Sequence, residues 1–215
     1  AQVEQQGLTG ITFELRITGL ESLGIAPVNQ RLHCGMLGAQ AAFPAALAAT
    51  VGLLQGLSWE QVAHGLERLG VGLRLIPKPG RRATTILDDA YNASPAAVSG
   101  ALQLLASLPG RHVAVLGDML ELGAATEESH REVGILCAQC ADLLITRGEQ
   151  ARLIAHSALA AGMPVAAVIE TADNDATLAT LEALAQPGDT ILIKGSRGMA
   201  MEAIVAGWLQ PEEPA

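Results

Sequence analysis

The chain has 215 residues, 50% of them AVILMFWYC and only 2% aromatic, with 13 Lys+Arg against 22 Asp+Glu for a formal charge of −9. That apolar fraction supports a packed core and excludes intrinsic disorder, and the scarcity of aromatics beside abundant Ala, Leu, Gly and Val fits an α/β protein better than a β-sandwich. An acidic chain without a Lys/Arg block is a poor electrostatic match to nucleic acid or an anionic membrane, so neither is expected as a partner.

No run reaches the ~18 uninterrupted apolar residues of a membrane-spanning helix, and no membrane insertion is expected. The opening AQVEQQ lacks the basic and apolar regions of a secretory signal, and Cys34, Cys137 and Cys140 make no disulfide framework. Reduced thiols and a cytoplasmic location are expected. The chain begins with Ala1 rather than Met, a hint that it is a piece of a longer protein.

In chain order, Thr9–Ile17 alternates apolar and polar residues as a half-buried strand does, and Asn29–Met36 is a weaker strand. Ala39–Leu54 reads as a buried helix, with Pro44 tolerable only near its first turn. Ser58-Trp59-Glu60-Gln61 is a capping-box pattern that opens an amphipathic helix to about Leu69. Pro77-Lys78-Pro79-Gly80 reads as a turn cluster and interdomain hinge. Beyond it, short apolar runs at Thr84–Asp88, His112–Leu116, Leu143–Thr146, Val165–Ile169 and Thr190–Lys194 alternate with helical stretches. Strands separated by helices imply right-handed βαβ crossovers, hence a doubly wound, Rossmann-like parallel sheet. The expected division is residues 1–80 as one partial α/β domain and 81–215 as this second domain.

Ligands of such sheets sit beyond the carboxyl ends of the strands. Three polar loops occupy those positions: Asp88-Asp89-Ala90-Tyr91-Asn92-Ala93-Ser94-Pro95, Gly117-Asp118-Met119-Leu120-Glu121-Leu122-Gly123 and Gly195-Ser196-Arg197-Gly198. The last leads into a helix expected near Met199. Its free N–H groups, with Lys194 and Arg197 beside them, fit an anion site or a tight turn with solvated cations. Asp88 and Asp89 are adjacent on a strand and point to opposite faces, so one caps or orients while the other faces the ligand rim. Cys137-Ala138-Gln139-Cys140 has CxxC spacing but lies inside a helix, which favours buried thiols over zinc or redox chemistry. His130 follows an acidic first turn and reads as an exposed or capping residue, a weak catalytic candidate. No G-x-x-x-x-G-K-[ST] loop and no Gly-x-Ser-x-Gly elbow occurs.

At these three loops the sequence resembles the Mur ligase family. Leu87–Pro95, Val115–Gly123 and Ile193–Met199 match three of its motifs in order and spacing, across Arg74–Trp208, and residues 1–73 resemble the end of its central ATPase domain more loosely. The resemblance implies an ATP-dependent amide-forming ligase of peptidoglycan synthesis, joining D-alanyl-D-alanine to UDP-N-acetylmuramoyl-tripeptide with Mg²⁺. Carried over, Arg74 matches an arginine that reaches the ATP phosphates and Asp89 an acid on the ribose, with Asn92 and Ser94 lining the same loop. Lys194, Gly195, Ser196 and Arg197 fall where the family handles the incoming amino-acid substrate, their cations pairing with its carboxylate. No catalytic or metal-binding residue is assigned.

Two departures stand out. The family's UDP-sugar domain, P-loop and Mg²⁺-binding acids are absent, so the main Mg²⁺ ligands are expected outside this chain, which by itself is expected to be inactive. The family's adenine-contacting His-Asn-x-x-Asn stretch appears here as Ala39-Gln40-Ala41-Ala42-Phe43-Pro44. That difference keeps open a non-catalytic binding module of the same fold; a folylpolyglutamate or cyanophycin synthetase type of amide ligase is the other alternative.

Overall fold

The structure is a computed structural model that describes residues 3–69 and 75–211. The chain divides into two compact units, Ala1–Gly72 and Leu73–Ala215.

In the first unit, β1 (Val3–Gln5), β2 (Ile11–Ile17) and β3 (Val28–Cys34) form an antiparallel sheet in the order β1-β2-β3. The alternation in β2 does what it predicts: Ile11, Phe13, Leu15 and Ile17 are buried, while Glu14 and Arg16 point outward. Two helices, α1 (Ala42–Leu54) and α2 (Trp59–Glu67), pack Ala45, Ala49, Val62 and Leu66 into the same core. The capping box at the start of α2 is present, with the Gln61 N–H donating to Ser58 Oγ at 3.3 Å and the Ser58 N–H to Gln61 Oε1 at 2.8 Å. The expectation that α1 is buried is corrected, because Phe43 is 79% exposed, Leu47 56% and Val51 49%. An Ala/Leu helix is apolar on all sides, and this unit covers only its alanine side.

The second unit contains β4 (Ile76–Gly80), β5 (Thr84–Asp89), α3 (Pro95–Ser107), β6 (His112–Gly117), α4 (Thr126–Cys140), β7 (Leu143–Arg147) and α5 (Ala151–Ala160). β8 (Val168–Thr171), α6 (Asn174–Leu184), β9 (Thr190–Lys194) and α7 (Glu202–Trp208) complete it. Its six-stranded sheet runs β4-β5-β9-β6-β7-β8, antiparallel only at β4. The doubly wound parallel sheet read from the alternating elements is therefore present, with β4 added antiparallel at its edge. Ile86, Val113, Val115, Ile145, Ile191 and Ile193 pack with Leu181, Ile204, Val205 and Trp208 of α6 and α7 on one face. The intervening residues Leu87, Ala114, Leu116, Leu144 and Leu192 are also buried and point to the other face, where right-handed crossovers place α3, α4 and α5.

The hinge reading of Pro77–Gly80 is corrected: these residues are an edge strand, paired Pro77 to Leu87 and Pro79 to Thr85. Two prolines are tolerable there because an edge strand needs no donor on its outer side. Lys78 then reaches Asp88, Nζ to Oδ2 2.6 Å.

Cys137 and Cys140 are buried in α4, as their helical setting implied. Burial pushes the Cys137 thiol from its ordinary 9.0 up to about 12, with Cys140 adding a smaller push in the same direction. Because the folded state resists ionisation, this contribution to stability is complete below pH 9.0 and is lost as pH rises toward about 12. Iodoacetamide at pH 8 is expected to leave Cys137 unlabelled until urea unfolds the chain; prompt labelling of the native protein would show the thiol to be accessible.

Candidate ligand rim at the carboxyl ends of the strands

β9 lies between β5 and β6 and runs parallel to both. The chain leaves β5 and β6 into α3 and α4 on one face but leaves β9 toward α7 on the other. The opposed exits make the carboxyl end of β9 a topological switch point, the position where open α/β sheets take ligands. The three polar loops singled out in the sequence meet there.

Asp89 and Lys194 end their strands in direct register. Asp89 is 2% and Lys194 1% exposed, and Lys194 Nζ lies 2.5 Å from Asp89 Oδ2. The ammonium also donates to the Asn92 carbonyl at 3.0 Å. The reading of Lys194 and Arg197 as a two-cation fork is corrected accordingly. Register places a carboxylate beside the Lys194 ammonium, and a buried ion pair holds its partners far more firmly than a solvated one. Arg197 is on the outside: its side chain is 64% exposed, pairs with Glu202 Oε1 at 2.8 Å, and lies 5.8 Å from the ring centre of Tyr91.

The loop after β9 also differs from expectation. The helix does not begin near Met199; a 3₁₀ turn at Arg197–Met199 and Ala200 at φ +49° precede α7. Of the N–H groups expected to face outward, that of Ser196 donates to the Asp118 carbonyl at 3.0 Å and that of Met199 to the Ser196 carbonyl at 2.8 Å. Arg147 Nη1 donates to the Met199 carbonyl at 2.8 Å and Asn174 Nδ2 to the Ala200 carbonyl at 2.9 Å, which holds the turn from beneath. Both were missed in the sequence, where nothing near them marks a partner in this loop.

Ser196 is 4% exposed and joins three loops: its Oγ accepts the Leu120 N–H at 2.8 Å and lies 3.4 Å from the Ala93 carbonyl. Gly195 is buried because the chain comes close to its neighbours here; a Cβ would lie 2.8 Å from Met201 Cγ and 3.2 Å from Gly117 Cα. Asp118, part of a quoted motif but given no role, accepts the Ala151 N–H at 2.7 Å and so caps the start of α5. Asn92 is exposed on the rim, its Oδ1 accepting the Ala93 N–H at 2.9 Å. Ser94 caps α3, accepting the Ala97 N–H at 3.4 Å. Asp88 and Asp89 do point to opposite faces, Asp88 to Lys78 and Asp89 to Lys194. Arg74 lies outside the described residues. His130, expected to be exposed or a cap, is fully buried.

The described residues include no group of three or more His, Cys, Asp or Glu side chains placed to hold a metal ion, and Asp89 is engaged with Lys194. They offer Mg²⁺ no cluster of carboxylates. Among them, no helix is long and apolar enough to cross a membrane.

Residues 74–197 match the family profile described as Mur ligase, glutamate ligase domain. The chain belongs to the Mur ligase family. The UDP-N-acetylmuramoyl-tripeptide–D-alanyl-D-alanine ligase of Bacillus subtilis (strain 168) is 36% identical over 193 residues, covering 88% of this chain and 40% of the relative. The MurF crystal structure from Acinetobacter baumannii superposes with a TM-score of 0.78 at 24% identity, over 95% of this chain and 43% of that one. A Mycobacterium tuberculosis folylpolyglutamate synthase complexed with ADP gives a TM-score of 0.61 at 20% identity, over 93% of this chain and 48% of its own. The structural likenesses speak for the Mur ligase fold. The chain spans less than half of each of these proteins.

Proposed function

We propose that this chain is the C-terminal part of an ATP-dependent ligase that joins D-alanyl-D-alanine to UDP-N-acetylmuramoyl-tripeptide in the cytoplasm. The observation that carries the reading is the convergence of the three family motifs on one rim, where the exposed Arg197 lies 5.8 Å from the ring centre of Tyr91. The Bacillus relative supports the substrate pair, and the higher TM-score of the MurF structure favours it over the folylpolyglutamate type. ATP, whose ADP product accompanies the Mycobacterium neighbour, is the phosphoryl donor.

In this reaction the tripeptide carboxylate takes the γ-phosphoryl group and ADP leaves. The dipeptide amine then attacks the acyl carbon, its C–O bond to phosphate breaks, and the amine gives up a proton. Positioning and charge stabilisation are what a protein contributes to such steps. On this reading Arg197 leaves Glu202 to pair with the dipeptide carboxylate. The Asp89–Lys194 ion pair holds the loop that presents Asn92, so these two act on the ligand through the backbone. Ser94, Gly195 and Ser196 shape the same wall.

The test is kinetic, on the full-length gene product. ADP release must depend on both the tripeptide and the dipeptide. Arg197→Ala is expected to raise the KM for D-alanyl-D-alanine about tenfold or more, the loss of a charge-assisted hydrogen bond, while the KM for ATP changes little. An unchanged dipeptide KM would remove Arg197 from the site, and no dipeptide-dependent ADP release would leave a binding module of the same fold.

A further inference from the structure

The turn that follows β6 is held by side chains from elsewhere in the domain. Its Leu120 N–H goes to Ser196 Oγ at 2.8 Å, and its Met119 N–H goes to His130 Nε2 at 3.0 Å. His130 lies in α4, is 0% exposed, and has its other ring nitrogen, Nδ1, 2.6 Å from the Thr126 carbonyl. These two partners determine the tautomer. A backbone N–H offers no lone pair, so Nε2 must carry one; a carbonyl offers no proton, so Nδ1 must carry it. The imidazole is neutral, with its proton on Nδ1 and its Nε2 lone pair committed to the rim.

We propose that His130 is a positioning residue of the ligand rim. By accepting the Met119 N–H it fixes the Gly117–Gly123 turn, so that the next N–H, that of Leu120, meets the Ser196 hydroxyl. Ser196 in turn lies against the Ala93 carbonyl, so the imidazole acts on all three loops of the rim without touching the ligand. A purely space-filling histidine needs no such bond. Met119 is itself 1% exposed, so its N–H has no water to replace a lost acceptor. The effect on the reaction rests on the ligase reading, whereas the tautomer and the hold on the turn do not.

Two polar variants separate the roles of the ring nitrogens. His130→Gln keeps an acceptor near the Nε2 position, and His130→Asn keeps only the donor near Nδ1. On the present chain, long-range ¹H–¹⁵N correlation is expected to show Nε2 unprotonated in the wild type. Amide exchange at Met119 is expected to rise about tenfold or more in His130→Asn and to stay near wild type in His130→Gln. In the full-length ligase, His130→Asn is then expected to raise the KM for D-alanyl-D-alanine, with rescue by His130→Gln. A protonated Nε2 in the wild type, or equal Met119 exchange in the two variants, overturns the proposal. Should neither variant fold, the wild-type tautomer and its Met119 exchange decide it. Normal exchange behaviour without any ligase activity would refute the ligase reading and leave the hold on the turn standing. Raised exchange with unchanged KM would overturn the role at the ligand rim.

Discussion

Replacing Lys194 by Met is expected to lower the unfolding free energy of the second unit by about 3–5 kcal/mol, the usual cost of removing one member of a buried ion pair. The Asp89 carboxylate is 2% exposed and would keep its charge while losing the ammonium 2.5 Å away. The Asn92 carbonyl would lose a donor as well. Neutralising both ends, Asp89→Asn with Lys194→Met, is expected to recover much of the loss, because a neutral pair avoids the desolvation of two ions. Urea titration followed by fluorescence of the buried Trp208, in a Trp59→Phe background that silences the other tryptophan, measures each variant, and the double-mutant cycle isolates the coupling. A single-variant loss below about 1 kcal/mol would place the pair in the class of solvated surface ion pairs. The pair also bears on function: any substitution of Asp89 disturbs it, so a rise in the KM for ATP in such a variant must be separated from loosening of the loop.

The second large effect is expected at Trp208. It is among the largest fully buried side chains, donates Nε1–H to Thr84 Oγ1 at 3.1 Å, and carries the Arg81 guanidinium 5.2 Å from its ring centre. Just beyond it, Leu209 bridges to Gly80 and the Gln210 N–H donates to the Pro79 carbonyl at 3.0 Å. The end of α7 thereby secures β4, the one antiparallel strand of the sheet. Trp208→Ala should cost about 3–5 kcal/mol through the cavity it leaves. Trp208→Phe keeps most of the ring and should lose the hydrogen bond in addition to a small packing term, about 1 kcal/mol for the bond. Thermal melts followed by circular dichroism read both, and equal losses would show that the hydrogen bond, not the ring volume, dominates.

The parallel sheet was legible because its strands are short, continuously apolar and separated by helix-length segments, which only strands covered on both faces require. The three rim loops were legible for the same reason, since strand ends in such a sheet converge. What the sequence did not reveal depends on register and on distant contacts. Nothing local to Lys194 says that Asp89 will stand beside it, because that follows from β9 inserting next to β5. Pro77 and Pro79 carry the local signature of a turn, and only an edge strand, whose outer side needs no backbone donor from them, accommodates them. His130 sits among the polar residues of the first turns of α4, and its burial is set by the Met119 turn folding over it. Arg147 and Asn174 act on carbonyls, which carry no sequence signal at all.

The place of β9 has a consequence for how the domain is made. This strand is the last of the sheet in chain order yet lies inside it, hydrogen-bonded to β5 on one side and β6 on the other. Until it is synthesised, β5 and β6 have no partner at their facing edges, and the helices that follow them cover a sheet with a gap in its middle. Contacts of such sequence separation close slowly, and nascent edges left open in the meantime are prone to pairing with other chains. The ligand rim is therefore among the last parts of the fold to exist during translation, and a ribosome that stalls before Thr190 would release a domain with neither its central strand nor its site.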